Sequence, residues 1–117
     1  MIRSKISSYL GFCIRSGSLI FGTDNIENKK KGVHLILVDE ELGHNSLKVI
    51  IKSKERFACP LLIAEKEVLG EYIHRFGVKA IAVSDKNLAS AIIESVESET
   101  QFKFYSGGNN GNYGEEI

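Results

Sequence analysis

Four short apolar runs, each separated from the next by a segment of helical character, constrain this chain more than any other feature. The runs are "LIF" (19–21), "VHLILV" (33–38), "PLLIA" (60–64) and "VKAIAVS" (78–84). None shows strict alternation, which is expected of strands buried on both faces. Ile2, Ile6, Leu10, Cys13 and Ile14 follow helical spacing, so residues 3–15 are predicted as an amphipathic helix. Gly17 in "SGS" suits the left-handed position that stops it. Residues 45–57 place Leu47, Ile50, Ile51 and Phe57 on one stripe, with Lys48, Lys52 and Lys54 off it. Residues 65–76 and 86–96 complete the helices, with Val68, Leu69, Tyr72 and Ile73 inward in the first and Ser84 or Asp85 capping the second. Pro60, the only proline, opens a strand where its missing N–H is tolerated. The alternation predicts an α/β fold, a three-layer α/β/α sandwich with a four-stranded mixed sheet. The short first strand is expected to run antiparallel to the others.

The predicted domain spans residues 1–96. Residues 97–117 lose the apolar periodicity, and "YSGGNNGNYGEEI" (105–117) has the composition of a disordered tail. Within it "QFKFY" (101–105) alternates and could add an edge strand.

The segment "GTDNIENKKKG" (22–32) contains one apolar residue, Ile26. It reads as a short helix capped by Thr23 or Asp24 and ended by Gly32. Asp24 and Glu27 would sit early and Lys29–Lys31 late, each matched to the helix dipole. Formal net charge is zero, but residues 1–58 carry ten Lys and Arg against six Asp and Glu, whereas residues 59–117 carry five against nine. A basic face in the first half can therefore coexist with neutrality.

Enzyme chemistry finds little purchase. There is no phosphate-binding glycine loop and no nucleophile elbow. His34, His44 and His74 are scattered along the chain, and they read as a strand histidine, a turn histidine and a helix-end histidine. "DEE" (39–41) reads as a solvated turn. Cys13 and Cys59 lie among apolar neighbours and read as buried free thiols, with no metal or other cofactor implied. No apolar run approaches the roughly 20 residues that cross a bilayer, and no secretory leader is visible, so a cytoplasmic location is expected.

Four pieces, in order, resemble one family. "CIRSGSLIFG" (13–22) is similar to the "A-x-R-A-G-K-L-V-x-G" opening of bacterial YlxQ-like proteins. These belong to the superfamily of ribosomal proteins L-seven-Ae and L-thirty-e, whose members typically bind kink-turn RNA. "HLILVDEELGHNSLK" (34–48) resembles that family's "K-L-V-L-L-A-E-D-A-S-x-N-T-K-K", and "CPLLI" (59–63) its "V-P-V-I" strand. "VLGEYIHRFGVKAIAVSD" (68–85) resembles "L-G-x-A-I-G", a loop, then "A-V-V-A-V-T-D". The resemblance as a whole extends over about residues 3–95.

The resemblance implies a non-enzymatic, ribosome-associated protein that recognises structured RNA, with no membrane and no small-molecule substrate. It implies an RNA edge built from the start of the second helix, the turn after the second strand and the loop before the fourth. Gly22, Thr23, Asp24 and Asn25 would offer backbone and polar groups to sheared G·A pairs and phosphates. Phe76, Gly77, Val78 and Lys79 would support a flipped-out nucleotide. Lys29, Lys30, Lys31 and Lys48 would neutralise phosphates, with Lys29 standing for a family lysine. Here "TDNIEN" replaces the "N-E-x-T-K" of archaeal relatives, Ser18 a lysine and His74 a glycine. The alternative is a protein-interaction module of the same fold that contacts a ribosomal or translation-factor partner. An enzyme, or a substrate-binding domain detached from an RNA-modifying enzyme, is a third reading.

Overall fold

The computed structural model describes residues 4–106. Its elements follow in the order α1 (Lys5–Ser16), β1 (Leu19–Phe21), α2 (Thr23–Asn28), β2 (Leu35–Asp39), α3 (His44–Phe57), β3 (Leu61–Ala64), α4 (Val68–Ile73), β4 (Ala80–Val83), α5 (Lys86–Ser95), a 3-10 turn (Val96–Ser98) and β5 (Phe102–Phe104). The strands form one mixed five-stranded sheet in the order β1-β4-β2-β3-β5.

Strand β2 is central, and all five of its residues are buried. It pairs parallel with β3 and antiparallel with β4. The two-residue period of a strand sends Leu35 and Leu37 one way and Ile36 and Val38 the other. Leu35 and Leu37 join Leu62, Ile81 and Val83 against Ile6 and Leu10 of α1, Leu69 of α4 and Ile92 of α5. Ile36 and Val38 join Ala80 and Ala82 against Ile26 of α2 and Ile50 of α3. Each of the large side chains named here is inaccessible to solvent or nearly so. A sheet covered on both faces explains why the strand runs lack alternation.

The helix ends follow local chemistry. The Ser4 hydroxyl accepts from the Ser7 amide at 3.0 Å and starts α1. Gly17, at φ 71°, ends it, and the Ser18 amide donates back to the Cys13 carbonyl at 2.8 Å. Asp85 caps α5 through the Leu88 amide at 2.9 Å.

Several expectations need correction. The sheet has five strands rather than four. "QFKFY" supplies β5, which pairs antiparallel with β3 through Leu62–Phe104 and Ala64–Phe102. Phe102 is buried there, so the fold runs on past the expected boundary at residue 96. The part of the expected tail from residue 107 onward lies outside the described residues. Strand β1 is antiparallel to β4, but β4 is itself antiparallel to β2. The reversed strands are therefore β4 and β5, and β1 runs with β2 and β3. Helix α2 stops at Asn28, and Lys29 is extended at φ −71° and ψ 132°. Lys29–Lys31 thus do not form a last helical turn, and Gly32 does not cap one. Helix α4 begins only at Val68, because Glu67 ahead of it has φ 67°.

Candidate nucleic-acid interface

Strands β1, β2 and β3 all end at one side of the sheet, where β4 begins. Gly22 follows β1 directly. Its φ of 90° is open to glycine at little cost, and its amide donates to the Ala80 carbonyl at 2.8 Å. Its own carbonyl accepts from the Ile26 amide at 3.1 Å, so the residue that ties β1 to β4 also starts α2. Asn25 turns its side-chain amide back to the Phe21 carbonyl at 2.8 Å, leaving its oxygen open. Thr23 is half-buried, and Asp24 is exposed.

The loop before β4 meets this point from the other side. Phe76 is 79% exposed, the largest exposure among the large apolar side chains described. Gly77 has φ 93°, and Val78 and Lys79 are half-buried. The guanidinium of Arg75 lies 4.3 Å from the centre of the Phe21 ring, immediately before Gly22. A cation over a ring face here joins the two segments.

The turn after β2 is the third piece. The Asp39 amide donates to the Lys79 carbonyl at 2.9 Å. Its side chain, expected in a solvated turn, is instead buried at 2% exposure. The carboxylate accepts from the Glu41 amide at 2.7 Å and from the Glu67 amide at 2.7 Å. Two backbone donors compensate the burial of this charge. They also hold Glu67 in its left-handed conformation and set where α4 begins. Asp39, Glu67, Gly70, Phe76, Gly77, Val78 and Lys79 enclose a cavity of about 140 Å³.

The structure therefore brings together Gly22, Thr23, Asp24, Asn25, Phe76, Gly77, Val78 and Lys79. It does not bring Lys29, Lys30 and Lys31 to them. Six residues of α2 span about 9 Å, and the three lysines follow its far end, exposed. Arg56, in the last turn of α3, donates to the carbonyls of Lys29 at 2.7 Å and Glu27 at 2.8 Å. Lys48, Lys52 and Arg56 recur every fourth residue and are all exposed on α3. The lysines thus extend a ridge on α3 rather than the Gly22 edge. Lys48 lies in the first turns of α3, at the end of that ridge nearer the turn after β2.

Sequence reasoning missed Arg75, Asp39 and Arg56. Arg75 carried one signal, a cation beside Phe76. Asp39 and Arg56 act through partners 28 and 27 positions away, which spacing cannot reveal. Cys13 and Cys59 are free and buried, and burial raises both thiols above their usual range. Among the described residues no helix is long and apolar enough to cross a membrane.

No family model matches the chain, and no curated protein matches it. Among solved structures, a protein with unknown function from Bacillus halodurans C is similar to it, with a TM-score of 0.70 and 19% identity. The match covers 81% of this chain and 99% of that one. At this identity the likeness concerns the fold, a mixed α/β architecture.

Proposed function

We propose that the chain is a non-enzymatic, cytoplasmic RNA-binding protein of α/β/α sandwich type that recognises structured, kink-turn-like RNA, in the manner of ribosome-associated members of the L-seven-Ae superfamily. What carries this reading is the meeting of the three segments named by the resemblance. The Gly22 amide on Ala80 and the Asp39 amide on Lys79 put the start of α2, the turn after β2 and the loop before β4 on one edge. Thr23 and Asn25 offer polar groups there, Arg75 and Lys79 offer charge, and Phe76 and Val78 offer apolar surface to an unstacked base. The ridge of Lys48, Lys52, Arg56 and Lys29–Lys31 would follow a duplex backbone leaving the edge.

The two surfaces divide affinity from selectivity. Replacing Lys29–Lys31 with Ala should weaken kinked and straight RNA alike. For each phosphate no longer neutralised, the slope of log affinity against log salt should flatten by roughly 0.7–0.9. Val78→Asp should cut the preference for the kink about tenfold, or 1.4 kcal/mol. Filter binding at several salt concentrations, with a straight duplex as control, decides between these outcomes. Equal affinity for both RNAs in the wild type would sink the reading. It would favour a protein-binding edge, to which the exposed carboxylates of Asp24, Glu40, Glu41 and Glu67 and the bare Phe76 ring are suited.

A further inference from the structure

Helices α1 and α4 leave an open cleft of about 610 Å³ between them. That is within the roughly 300–1,000 Å³ of ligand clefts. It lies over the sheet face opposite α2 and α3, away from the lysine ridge on α3. Its charged and titratable lining is one-sided. Arg15 of α1 and His74 and Arg75 after α4 line it, and no carboxylate does. The whole stretch from residue 4 to residue 23 contains no Asp or Glu.

Aromatic rings interleave with these cations. Phe12 is 48% exposed on the cleft wall, so its ring is open to a ligand. The Arg15 guanidinium stands 4.6 Å from its ring centre, as Arg75 does over Phe21. The Ser7 and Ser8 hydroxyls line the same wall. Planar cations, an exposed ring and polar side chains, with no opposing acid, are what a sequence-tolerant single-stranded nucleic-acid groove contains. Phosphates meet the guanidinium groups, and bases stack on the rings.

The cleft is also continuous with the proposed RNA edge. Arg75 lines the cleft and packs on Phe21, next to Gly22, while its chain neighbour Phe76 stands at the edge. A strand leaving a structured RNA at Gly22 and Gly77 would pass Arg75 and enter between α1 and α4. We infer that this cleft binds single-stranded RNA flanking the structured element, through Phe12, Arg15 and Arg75. The inference rests on the reading of that edge as an RNA surface.

An alternative role for Arg15 is structural, since a cation in the last turn of α1 suits the helix dipole. The test must therefore read binding and not stability alone. The full chain would be titrated into a fluorescent twelve-nucleotide oligouridine, and into a kink-turn RNA with and without a single-stranded extension. Wild type should bind oligouridine in a salt-sensitive way and prefer the extended kink-turn. Arg15→Gln should lower oligouridine affinity about fivefold and flatten its salt slope by about 0.7, the value for one phosphate on a single strand. Ser8→Glu, which adds a carboxylate at an exposed helical position, should weaken it likewise. Lys103→Gln on β5 removes one positive charge that is not part of the cleft lining and should change nothing. Circular dichroism confirms that each variant is folded.

Absence of oligouridine binding at low salt, or an equal response to Lys103→Gln and Arg15→Gln, would overturn the cleft. So would displacement of oligouridine by polyglutamate at equal charge concentration, which would make the groove a site for acidic peptide. A kink preference that survives those failures leaves the edge standing. Oligouridine binding without kink preference removes the edge reading and leaves the cleft.

Discussion

The carboxylate of Glu99 closes the first turn of α1, accepting from the Ser4 hydroxyl at 2.5 Å although the two residues are 95 positions apart. Its second oxygen accepts from the Lys5 amide at 2.9 Å and the Ile6 amide at 3.1 Å. These amides belong to the four that a helix start leaves without intrahelical partners. A negative charge there also opposes the positive end of the helix dipole. Glu99→Ala should therefore cost about 1–3 kcal/mol in urea denaturation, as expected when buried donors lose a charged acceptor. Glu99→Gln keeps an acceptor and should cost less than half of that. Truncation after Ser98 removes both this cap and β5, and should lower the thermal midpoint more than Glu99→Ala does. A truncated chain that melts with the wild type would contradict the cap.

How much of the fold and the site is legible in the sequence depends on the range of each interaction. Helices α1, α3 and α5 carry 10 to 14 residues of periodic pattern and have local ends, so they are visible. Gly17 and Asp85 act within a few residues and are visible too. Strand β5 offers only three residues, and its partner β3 lies about 40 positions back. The Lys29–Lys31 run looks like a helix end because nothing local shows Arg56 taking the carbonyls around it. The meeting of Gly22 with Ala80 comes through the family resemblance, since neither residue signals the other.

Asp39 makes a second prediction. The Glu41 and Glu67 amides both point at its carboxylate, which is nearly closed off from solvent. Asp39→Ala would leave two donors unpaired, and each buried orphan costs about 1–3 kcal/mol. Asp39→Asn retains one acceptor oxygen and should fall between Ala and wild type. Because Glu67 owes its left-handed backbone to this bond, hydrogen exchange at Lys66–Val68 should quicken in both variants. Unchanged exchange there would detach Asp39 from the loop.

The thiol of Cys59 makes a third. Burial raises it from 9.0 to about 11, partly offset by the Lys54 ammonium and by a backbone hydrogen bond. The folded state thus favours the neutral thiol. The stability this contributes is whole below pH 9 and is lost as pH climbs toward 11, with a slope of at most about 1.4 kcal/mol per pH unit. Cys59→Ala removes the titrating group. Its stability should start lower and decline less steeply than that of the wild type between pH 9 and 10.5. Parallel curves from chemical denaturation across that range would show that Cys59 contributes nothing to the alkaline limb.

Gly70 separates loop position from core stability. It lies in α4, where Ala would ordinarily be favoured over Gly by about 1 kcal/mol. Here a Cβ would stand 3.2 Å from the Arg75 carbonyl oxygen and 3.3 Å from the Phe76 Cα, both backbone atoms. The Arg75 amide also donates to the Gly70 carbonyl at 2.9 Å, so the loop is drawn onto the helix at this point. Gly70→Ala must therefore push the loop outward or strain it. Overpacking of this kind costs about 1–3 kcal/mol, and the gain in helix propensity offsets part of it. The thermal midpoint should fall only modestly. The larger effect should be on RNA, because the displaced segment carries Arg75, Phe76 and Gly77. Kink preference should drop, while the salt slope contributed by Lys29–Lys31 stays as it was. Full kink preference in a folded Gly70→Ala chain would mean that the loop before β4 does not touch the RNA.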